Sequence, residues 1–344
     1  MDKAESLRDD PSLTGEDPEA FRLVLKARDA LKAVQANAFL ELDDLEALFN
    51  AFEMAVLFKR LDPLLPSEVE RLPVAMGRVI ARTIERNLVF PVGEVKNQIG
   101  DRFPIVNPPA PYPEFANLLT LLDDNNAWSR VTVLTFNYDL ALDVALLKAK
   151  IPFSYGLLED SEGEKDARRA LDFLKLHGSL NWQRCECGEV HSRDLAALFD
   201  NDYMYSLVAG KREYRLEASL HQAQQPPCGK RPNVEPFIVP PTWNKGQHHA
   251  QLASVWRRAA QHFSNAEYIF IMGYSYPQAD EFFKYLYALG TVGKTWLKKV
   301  LVFNPDIEVG NRIKGLLGRS VQSKFDFQPK TFNYAIEHLR GLKL

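Results

Sequence analysis

Short runs of β-branched and other apolar residues recur along the chain from residue 131 onward, and helical patterns separate them. The runs lie at residues 131–136, 173–176, 237–239, 268–272 and 300–303. Each is too short for a helix and has the length and composition of a buried strand. Strands that alternate with helices predict a parallel sheet with helices on both faces. We therefore expect a three-layer α/β fold.

The first half of the chain has a different pattern. Residues 1–18 are polar and rich in turn-forming residues, which predicts a flexible lead-in. Between residues 19 and 86 apolar residues recur at helical spacing, and residues 91–113 are rich in Pro and predict a loop. We expect one domain over residues 19–344, with a helical segment at residues 19–112 and a small cysteine-containing insertion at residues 183–234.

Polar side chains follow two of the predicted strands at the point where each strand ends. Asn137 and Asp139 come directly after the first run, and His177 follows the second. In an open α/β sheet the ligand crevice lies beyond the carboxyl ends of the strands, so we expect these side chains to share one cleft. A carboxamide, a carboxylate and an imidazole suit a polar ligand and acid–base chemistry. From the residues alone, two other interpretations stay open: a helix cap at Asn137 or Asp139, and a structural role for His177.

The residues around these positions resemble a known family. Residues 135–139 resemble the T-x-N-x-D motif of sirtuins, and His177-Gly178 resembles their H-G pair. The fuller pattern covers about residues 40–306 and is similar to the bacterial SIR2-like family, many of whose members serve in anti-phage defence. Its motifs here, in family order, are TFNYD, KLHGSLNW, IVPPTWNK, IFIMGYSYPQAD and VFNPD. Their joint order is more specific than any one motif.

The resemblance implies a sirtuin-like, Rossmann-like fold that binds NAD as substrate and cleaves its nicotinamide–ribose bond. It makes His177 the general base that acts on the ribose hydroxyls or on water. Asn137 would face the ribose on the nicotinamide side, Asp139 would accept a hydrogen bond from the carboxamide, and Thr135 belongs to the same cofactor-binding stretch. Three activities stay open: an NAD glycohydrolase in anti-phage defence, a non-catalytic nucleotide-binding or scaffold module, and an NAD-dependent protein deacylase.

Two later strand ends carry further candidates. Residues 273–275 resemble the sirtuin G-T-S motif, and residues 304–306 resemble the family's N-P-D. By resemblance, Gly273 lets the backbone approach the dinucleotide, Ser275 binds a phosphate or ribose oxygen, and Asn304 meets the adenosine ribose. Turn chemistry alone also explains these residue types at strand ends, and that alternative stays open.

Two sirtuin features are absent from the sequence. No G-A-G-x-S loop, which cradles the NAD diphosphate in sirtuins, occurs before Gly156, because the glycines there are isolated. Either the loop lies upstream of Met1, or this is a divergent member with weakened or lost NAD binding. Residues 240–245 also occupy the place of the F-G-E motif of protein-deacylating sirtuins, which favours simple NAD consumption over deacylation.

The three cysteines lie in the predicted insertion. Cys185 and Cys187 form a C-x-C pair, and Cys228 follows about forty residues later. A sirtuin zinc module has two C-x-x-C pairs, so this set is one ligand short unless His191 or His221 supplies it. A structural zinc site and a degenerate, metal-free module both stay open.

Composition limits the class of protein further. The net charge is −3 at pH 7, which gives no electrostatic sign of nucleic-acid binding. No apolar stretch reaches membrane-spanning length, and the acidic N-terminus is unlike a signal peptide. Three cysteines are too few for a secreted disulfide framework, so we expect a cytoplasmic protein. The resemblance adds possible partners: a defence protein such as an ATPase or an Argonaute-like protein, or further copies of this chain.

Overall fold

The chain divides into two compact units in a computed structural model. The single domain over residues 19–344 stays a prediction. Unit 1 comprises Met1–Val89, Asn137–Leu140 and His177–Gln251, and unit 2 comprises Phe90–Phe136, Ala141–Leu176 and Leu252–Leu344. The structure describes residues 1–11, 13, 15–34, 40–96, 102–122, 128, 130–157, 170–195, 205–208, 211–214, 224–226, 228–233, 235–239, 251–276, 281–291 and 297–342.

The described chain begins with four helices, continues mainly with strands, and mostly alternates between helices and strands from residue 253 onward. The helices are α1 (Asp2–Leu7), α2 (Asp17–Val34), α3 (Leu45–Phe58), α4 (Pro66–Asn87), α5 (Tyr112–Leu122), α6 (Ala141–Lys148), α7 (Ala253–Asn265), α8 (Glu281–Gly290), α9 (Ile307–Leu316), α10 (Arg319–Gln322) and α11 (Phe332–Arg340). The strands are β1 (Phe90–Lys96), β2 (Arg102–Val106), β3 (Thr132–Thr135), β4 (Phe153–Ser154), β5 (Leu171–Lys175), β6 (Trp182–Arg184), β7 (Val190–Ser192), β8 (Tyr205–Val208), β9 (Lys211–Tyr214), β10 (Tyr268–Met272), β11 (Lys299–Phe303) and β12 (Phe325–Gln328).

Unit 1 begins with helices α1 to α4, of which α2, α3 and α4 cover most of residues 19–86, where the sequence predicted helices. Their apolar faces bury a shared core that includes Phe21, Phe49, Phe52 and Met76. Helix α1 lies within residues 1–18, for which the sequence predicted a flexible lead-in. Ala4 of this helix is buried, so α1 has an apolar position that packs within unit 1.

Unit 1 also contains two antiparallel pairs, β6 with β7 and β8 with β9. The strand predicted at residues 237–239 is instead an extended segment with one isolated bridge, from Ile238 to Gly178. A single antiparallel bridge does not extend into a ladder, so the segment lines the turn after His177 without joining a sheet.

A network of buried charges joins the helices of unit 1. Arg82 on α4 donates to Asp17 at 2.9 Å and to both carboxylate oxygens of Glu85 at 2.9 and 2.8 Å. Burial raises the pKa of Glu85 to about 7 in spite of the Arg82 charge. Burial also lowers the pKa of Arg193 to about 10, so Arg193 stays charged at neutral pH.

The Glu85 carboxyl should make the stability of the chain depend on pH. Its folded pKa lies above its ordinary value of 4.5, so its contribution is complete below about pH 4.5 and is lost as pH rises through about 7. We expect the unfolding free energy of the natural chain to fall, relative to Glu85→Gln, by at most about 1.4 kcal/mol per pH unit across this window. Urea unfolding at several pH values measures the difference. A constant difference between the two proteins would contradict the assignment.

Unit 2 contains the parallel strands that the sequence predicted. One sheet has the order β3-β5-β4, with Thr132 opposite Asp172 and Thr135 opposite Lys175. The other has the order β10-β11-β12 and is also parallel. The α/β class is therefore confirmed, and buried residues of both β5 and β11 supply the core. The Pro-rich residues 91–113, predicted as a loop, contain the antiparallel pair β1 and β2.

Two polar clusters fix the parallel strands to their helices in unit 2. Asp172 on β5 accepts a hydrogen bond from Arg258 Nε at 2.7 Å and lies 2.5 Å from His262 Nε2. The other ring nitrogen of His262 is 3.0 Å from Thr132 Oγ on β3. Deeper in the unit, the Nζ of Lys175 lies 3.0 and 3.2 Å from the carboxylate oxygens of Asp143.

No helix in the described part of the chain combines the length and the apolar character needed to cross a membrane.

Candidate functional site

The segment Asn137–Leu140 lies against the turn that begins at His177, and both belong to unit 1. The rings of Tyr138 and His177 stack with their centroids 6.2 Å apart and an interplanar angle of 29°. The backbone N–H of Leu180 donates to the carbonyl oxygen of Tyr138 at 3.0 Å. The structure thus joins the Asn-Tyr-Asp segment to the turn that carries the imidazole.

The residues 237–239 hold the same turn from its other side. Val239 donates its backbone N–H to the carbonyl oxygen of His177 at 2.7 Å, and its own carbonyl accepts the Tyr138 hydroxyl at 2.8 Å. Gly178 has a φ of +83°, and a Cβ at this position would collide with the carbonyl oxygen of Phe237. Glycine is therefore required immediately after His177.

The side chains that could meet a ligand differ in exposure. Asn137 is exposed, Asp139 is half-buried, and His177 is only 7% exposed. The turn that begins at His177 is held by hydrogen bonds, and its imidazole is buried. The ring is therefore held in a narrow range of orientations, which suits a general base. Two residues after His177, Ser179 donates its hydroxyl to Asn181 Oδ1 at 2.7 Å, and both side chains are fully buried. These two residues of the motif support the turn from inside the unit.

The remaining candidates lie in unit 2. Thr135 is the last residue of β3 and is half-buried, and its carbonyl oxygen accepts the N–H of Leu176 at 2.9 Å. Gly273 follows β10 with a φ of +68°, and nothing lies within 4 Å of the place where its Cβ would stand. Ser275 is exposed in the same loop. The open approach at Gly273 is what contact between a ligand and the backbone requires.

Asn304 has a structural role in the fold. Its Nδ2 donates to the carbonyl oxygen of Tyr274 at 3.2 Å, and its Oδ1 accepts the N–H of Asp306 at 2.9 Å. Asp306 in turn caps α9 by accepting the N–H of Glu308. The turn interpretation of these two residues therefore has direct support, and the ribose contact of Asn304 stays a prediction. What the structure does bring together is the Gly273–Ser275 loop and Asn304.

Of the comparisons with known proteins, the one with solved structures found matches. No protein-family model matches the sequence, and no curated protein matches it significantly. Among solved structures, a serine-to-alanine mutant of a Sir2 homologue in complex with ADP-ribose is 16% identical, covers 81% of this chain and 80% of its own, and has a TM-score of 0.38. A Sir2 homologue in complex with NAD is 14% identical, with coverages of 92% and 91% and a TM-score of 0.36. A triple mutant bound to 2′-O-acetyl ADP-ribose is 15% identical, with coverages of 94% and 98% and a TM-score of 0.37.

The three cysteines converge with one histidine in unit 1. Ligand atoms of Cys185, Cys187, Cys228 and His191 all lie within 4.8 Å of one another. The sulfur of Cys228 is 3.3 Å from that of Cys185 and 3.5 Å from that of Cys187. Two thiolates of a tetrahedral zinc site lie about 3.8 Å apart, because each Zn–S bond is about 2.3 Å. The donor set therefore fits a closed structural zinc site, with His191 as the fourth ligand.

The same cluster has an alternative state. The structure records Cys185 and Cys187 as a disulfide, with Cys228 as a free thiol. Zinc binds thiolates, so a disulfide between two of the ligands excludes the metal until it is reduced. His221, the other histidine considered from the sequence, lies outside the described residues, as do residues 240–250.

We expect protein purified under reducing conditions to contain about one zinc ion per chain. His191→Ala or Cys228→Ser should lose most of the metal and lower the thermal unfolding midpoint, because a structural zinc stabilises the fold that holds it. Metal content is measured by mass spectrometry after dialysis. His338→Ala on α11 is the matched control and should keep its zinc. Metal-free natural protein under reducing conditions would rule out the zinc site.

Arg312 is a residue near the candidate loop that the sequence did not point to. It lies six residues after Asp306, within α9, and its Nη2 donates to the carbonyl oxygen of Ser275 at 2.9 Å. The residues around Arg312 in α9 form no recognisable sequence motif. An arginine on the first turns of a helix that follows a parallel strand is the signal that could have identified it.

Proposed function

We propose that this chain is a SIR2-like enzyme that hydrolyses NAD to nicotinamide and ADP-ribose. His177 acts as the general base, Asn137 contacts the ribose on the nicotinamide side, and Asp139 accepts a hydrogen bond from the carboxamide. Thr135, Gly273, Ser275 and Asn304 are proposed as further NAD-binding residues. NAD is also the ligand named for one of the Sir2 homologues, but support for this chain comes from its own residues.

The observation that carries the proposal is the contact between the Asn-Tyr-Asp segment and His177. Ring stacking joins Tyr138 to His177, and the Tyr138 hydroxyl and the His177 carbonyl bond to the same residue, Val239. A segment fixed in this way keeps its two flanking polar residues, Asn137 and Asp139, in a defined place relative to the imidazole. Preorganised polar groups of this kind are what bond cleavage at a charged nicotinamide requires.

The chemistry follows from these three side chains. The bond between the anomeric carbon and the nicotinamide nitrogen breaks, its electron pair goes to the ring, and neutral nicotinamide leaves. Water adds to the oxocarbenium-like ribose carbon, and His177 takes the proton that the water loses. Imidazole is the side chain that proteins use most often as a general base. Asp139 selects the carboxamide because a carboxylate only accepts hydrogen bonds.

The biological role that we propose is anti-phage defence, by depletion of NAD. Uncontrolled NAD loss harms the cell, so such an enzyme is kept inactive until a trigger appears. A partner protein with ATPase or Argonaute-like character, or assembly of several copies of this chain, would provide that control.

A second candidate is a nucleotide-binding module without catalysis. One observation favours it: no G-A-G-x-S loop occurs before Gly156 in the sequence. A protein deacylase is a third candidate, and residues 240–245 lack the F-G-E motif that this activity uses in sirtuins.

Two measurements on the purified chain separate the candidates. Free nicotinamide is measured by chromatography after incubation with NAD, with and without an acetyl-lysine peptide, and ADP-ribose binding is measured by calorimetry. Nicotinamide release without peptide supports the hydrolase, and release that requires peptide supports the deacylase. Binding without release supports the module. The absence of both nicotinamide release and ADP-ribose binding would refute an NAD-dependent function.

A further inference from the structure

The loop from Gly273 to Tyr276 follows β10 and is fixed by hydrogen bonds to its backbone. Gly273 donates its N–H to the carbonyl oxygen of Phe303 at 3.0 Å. The carbonyl of Tyr274 accepts from Asn304, and the carbonyl of Ser275 accepts from Arg312 at 2.9 Å. None of these three bonds uses the Ser275 hydroxyl, and the residue is exposed. The loop is therefore rigid while its hydroxyl stays accessible.

Aromatic side chains also pack against and within this loop. Phe136, the residue after β3, stacks on Tyr274 with ring centroids 4.7 Å apart and an interplanar angle of 13°. Tyr274 and Tyr276 both contact Phe283 of α8, with centroids 5.3 and 5.9 Å apart. Tyr276 has a φ of +45°, a left-handed conformation that a bulky residue adopts only when its surroundings impose it. The packing thus maintains a conformation that the sequence alone disfavours.

Arg312 brings a positive charge to this loop. It is half-buried, and its Nη2 lies beside the loop, 2.9 Å from the carbonyl oxygen of Ser275. Within the described part of the chain Arg312 forms no ion pair, and its one hydrogen bond there goes to the neutral carbonyl of Ser275. A guanidinium has five N–H donors and binds phosphate oxygens in a planar, two-pronged arrangement. An anion with several oxygens is the ligand that matches this group.

We propose that Arg312 and the Ser275 hydroxyl bind a phosphate of the ligand's diphosphate. This proposal rests on the proposed NAD function and adds a binding residue to it. Arg312 contributes charge, Ser275 contributes a neutral donor, and the open space at Gly273 lets the anion approach the backbone. The anion lies beyond the carboxyl ends of β10 and β11, where parallel α/β sheets bind ligands. Arg312 binds and positions the ligand and takes no part in proton transfer.

The test compares a phosphate-bearing ligand with a neutral one. Binding of ADP-ribose is measured by calorimetry, and binding of adenosine is measured by its competition with ADP-ribose. We expect Arg312→Gln to weaken ADP-ribose binding roughly 10- to 100-fold, because charged hydrogen bonds are lost, and to leave adenosine unchanged. Arg312→Lys should recover part of the affinity, since it keeps the charge. Arg319→Gln on the short helix α10 is the matched control.

The outcomes separate this proposal from the proposed function. If the natural chain does not bind ADP-ribose, the NAD function fails and Arg312 fails with it. If the natural chain binds and Arg312→Gln binds equally well, only the Arg312 proposal is overturned. Equal weakening for ADP-ribose and adenosine would show that Arg312 only supports the loop. ADP-ribose binding that becomes less sensitive to salt in Ser275→Ala/Arg312→Gln than in the natural chain supports a direct charge contact.

Discussion

His177→Ala is expected to lower the rate of nicotinamide release from NAD by about 100- to 10,000-fold, the range that general-base catalysis contributes. The backbone bond from Val239 to the His177 carbonyl does not depend on the side chain, so the turn should persist. The rate of nicotinamide release is followed by chromatography. The pH dependence of the rate should also differ between the natural chain and the variant, because the variant lacks this base.

The control variant also replaces one histidine by alanine, so the two variants have the same number of histidines. His338→Ala removes a histidine from α11 and should leave the rate unchanged. Thermal unfolding of both variants shows whether loss of the Tyr138 ring contact destabilises unit 1. A folded His177→Ala protein with the natural rate and the natural pH profile would exclude the imidazole as the base.

Asp143→Ala is expected to lower the free energy of unfolding by about 3–5 kcal/mol. Asp143 is 1% exposed, and the Lys175 ammonium that it contacts is fully buried. The Asp143 carboxylate also accepts the Tyr155 hydroxyl at 2.6 Å. Its removal leaves a buried ammonium without this counter-charge, and that cost exceeds the loss of the contacts themselves. Urea unfolding measures the change.

Two further variants isolate the charge effect. Asp143→Leu combined with Lys175→Met removes both charges and should recover most of the stability, because well-packed apolar residues replace a buried ion pair at little cost. Glu267→Ala breaks the exposed pair with Lys298 and should change the stability far less than Asp143→Ala does. A double variant as unstable as Asp143→Ala would contradict the account of an uncompensated charge.

The strands that the sequence identified are rich in β-branched, aromatic and other apolar residues. Strands β3, β5, β10 and β11 each lie within one or two residues of the predicted limits, because these side chains favour an extended backbone. Strand β12 was not predicted: its sequence Phe-Asp-Phe-Gln is short and half polar, and it becomes a strand by pairing with β11.

Proline explains the error at residues 91–113. Pro91 and Pro104 fall within β1 and β2, although Pro usually interrupts a strand. Antiparallel pairing with a neighbouring strand outweighed the local signal here. The division into two units was equally hidden, because it depends on contacts between residues far apart in the chain.

At the candidate site, the motif gave residue identities and the structure added their partners. The link from Tyr138 to His177 spans 39 positions, and that from Arg312 to Ser275 spans 37. No local pattern encodes either contact. The predicted roles of Asn137, Asp139 and His177 derive from resemblance, and the fold adds that their segments meet within unit 1.

A crystal structure of His177→Ala with NAD bound tests this account most directly. We predict that the nicotinamide carboxamide lies within hydrogen-bond distance of Asp139, with the attached ribose next to Asn137 and facing position 177. NAD bound away from these residues, or a site at residues 137–139 filled by apolar side chains so that no nicotinamide enters, would contradict the account.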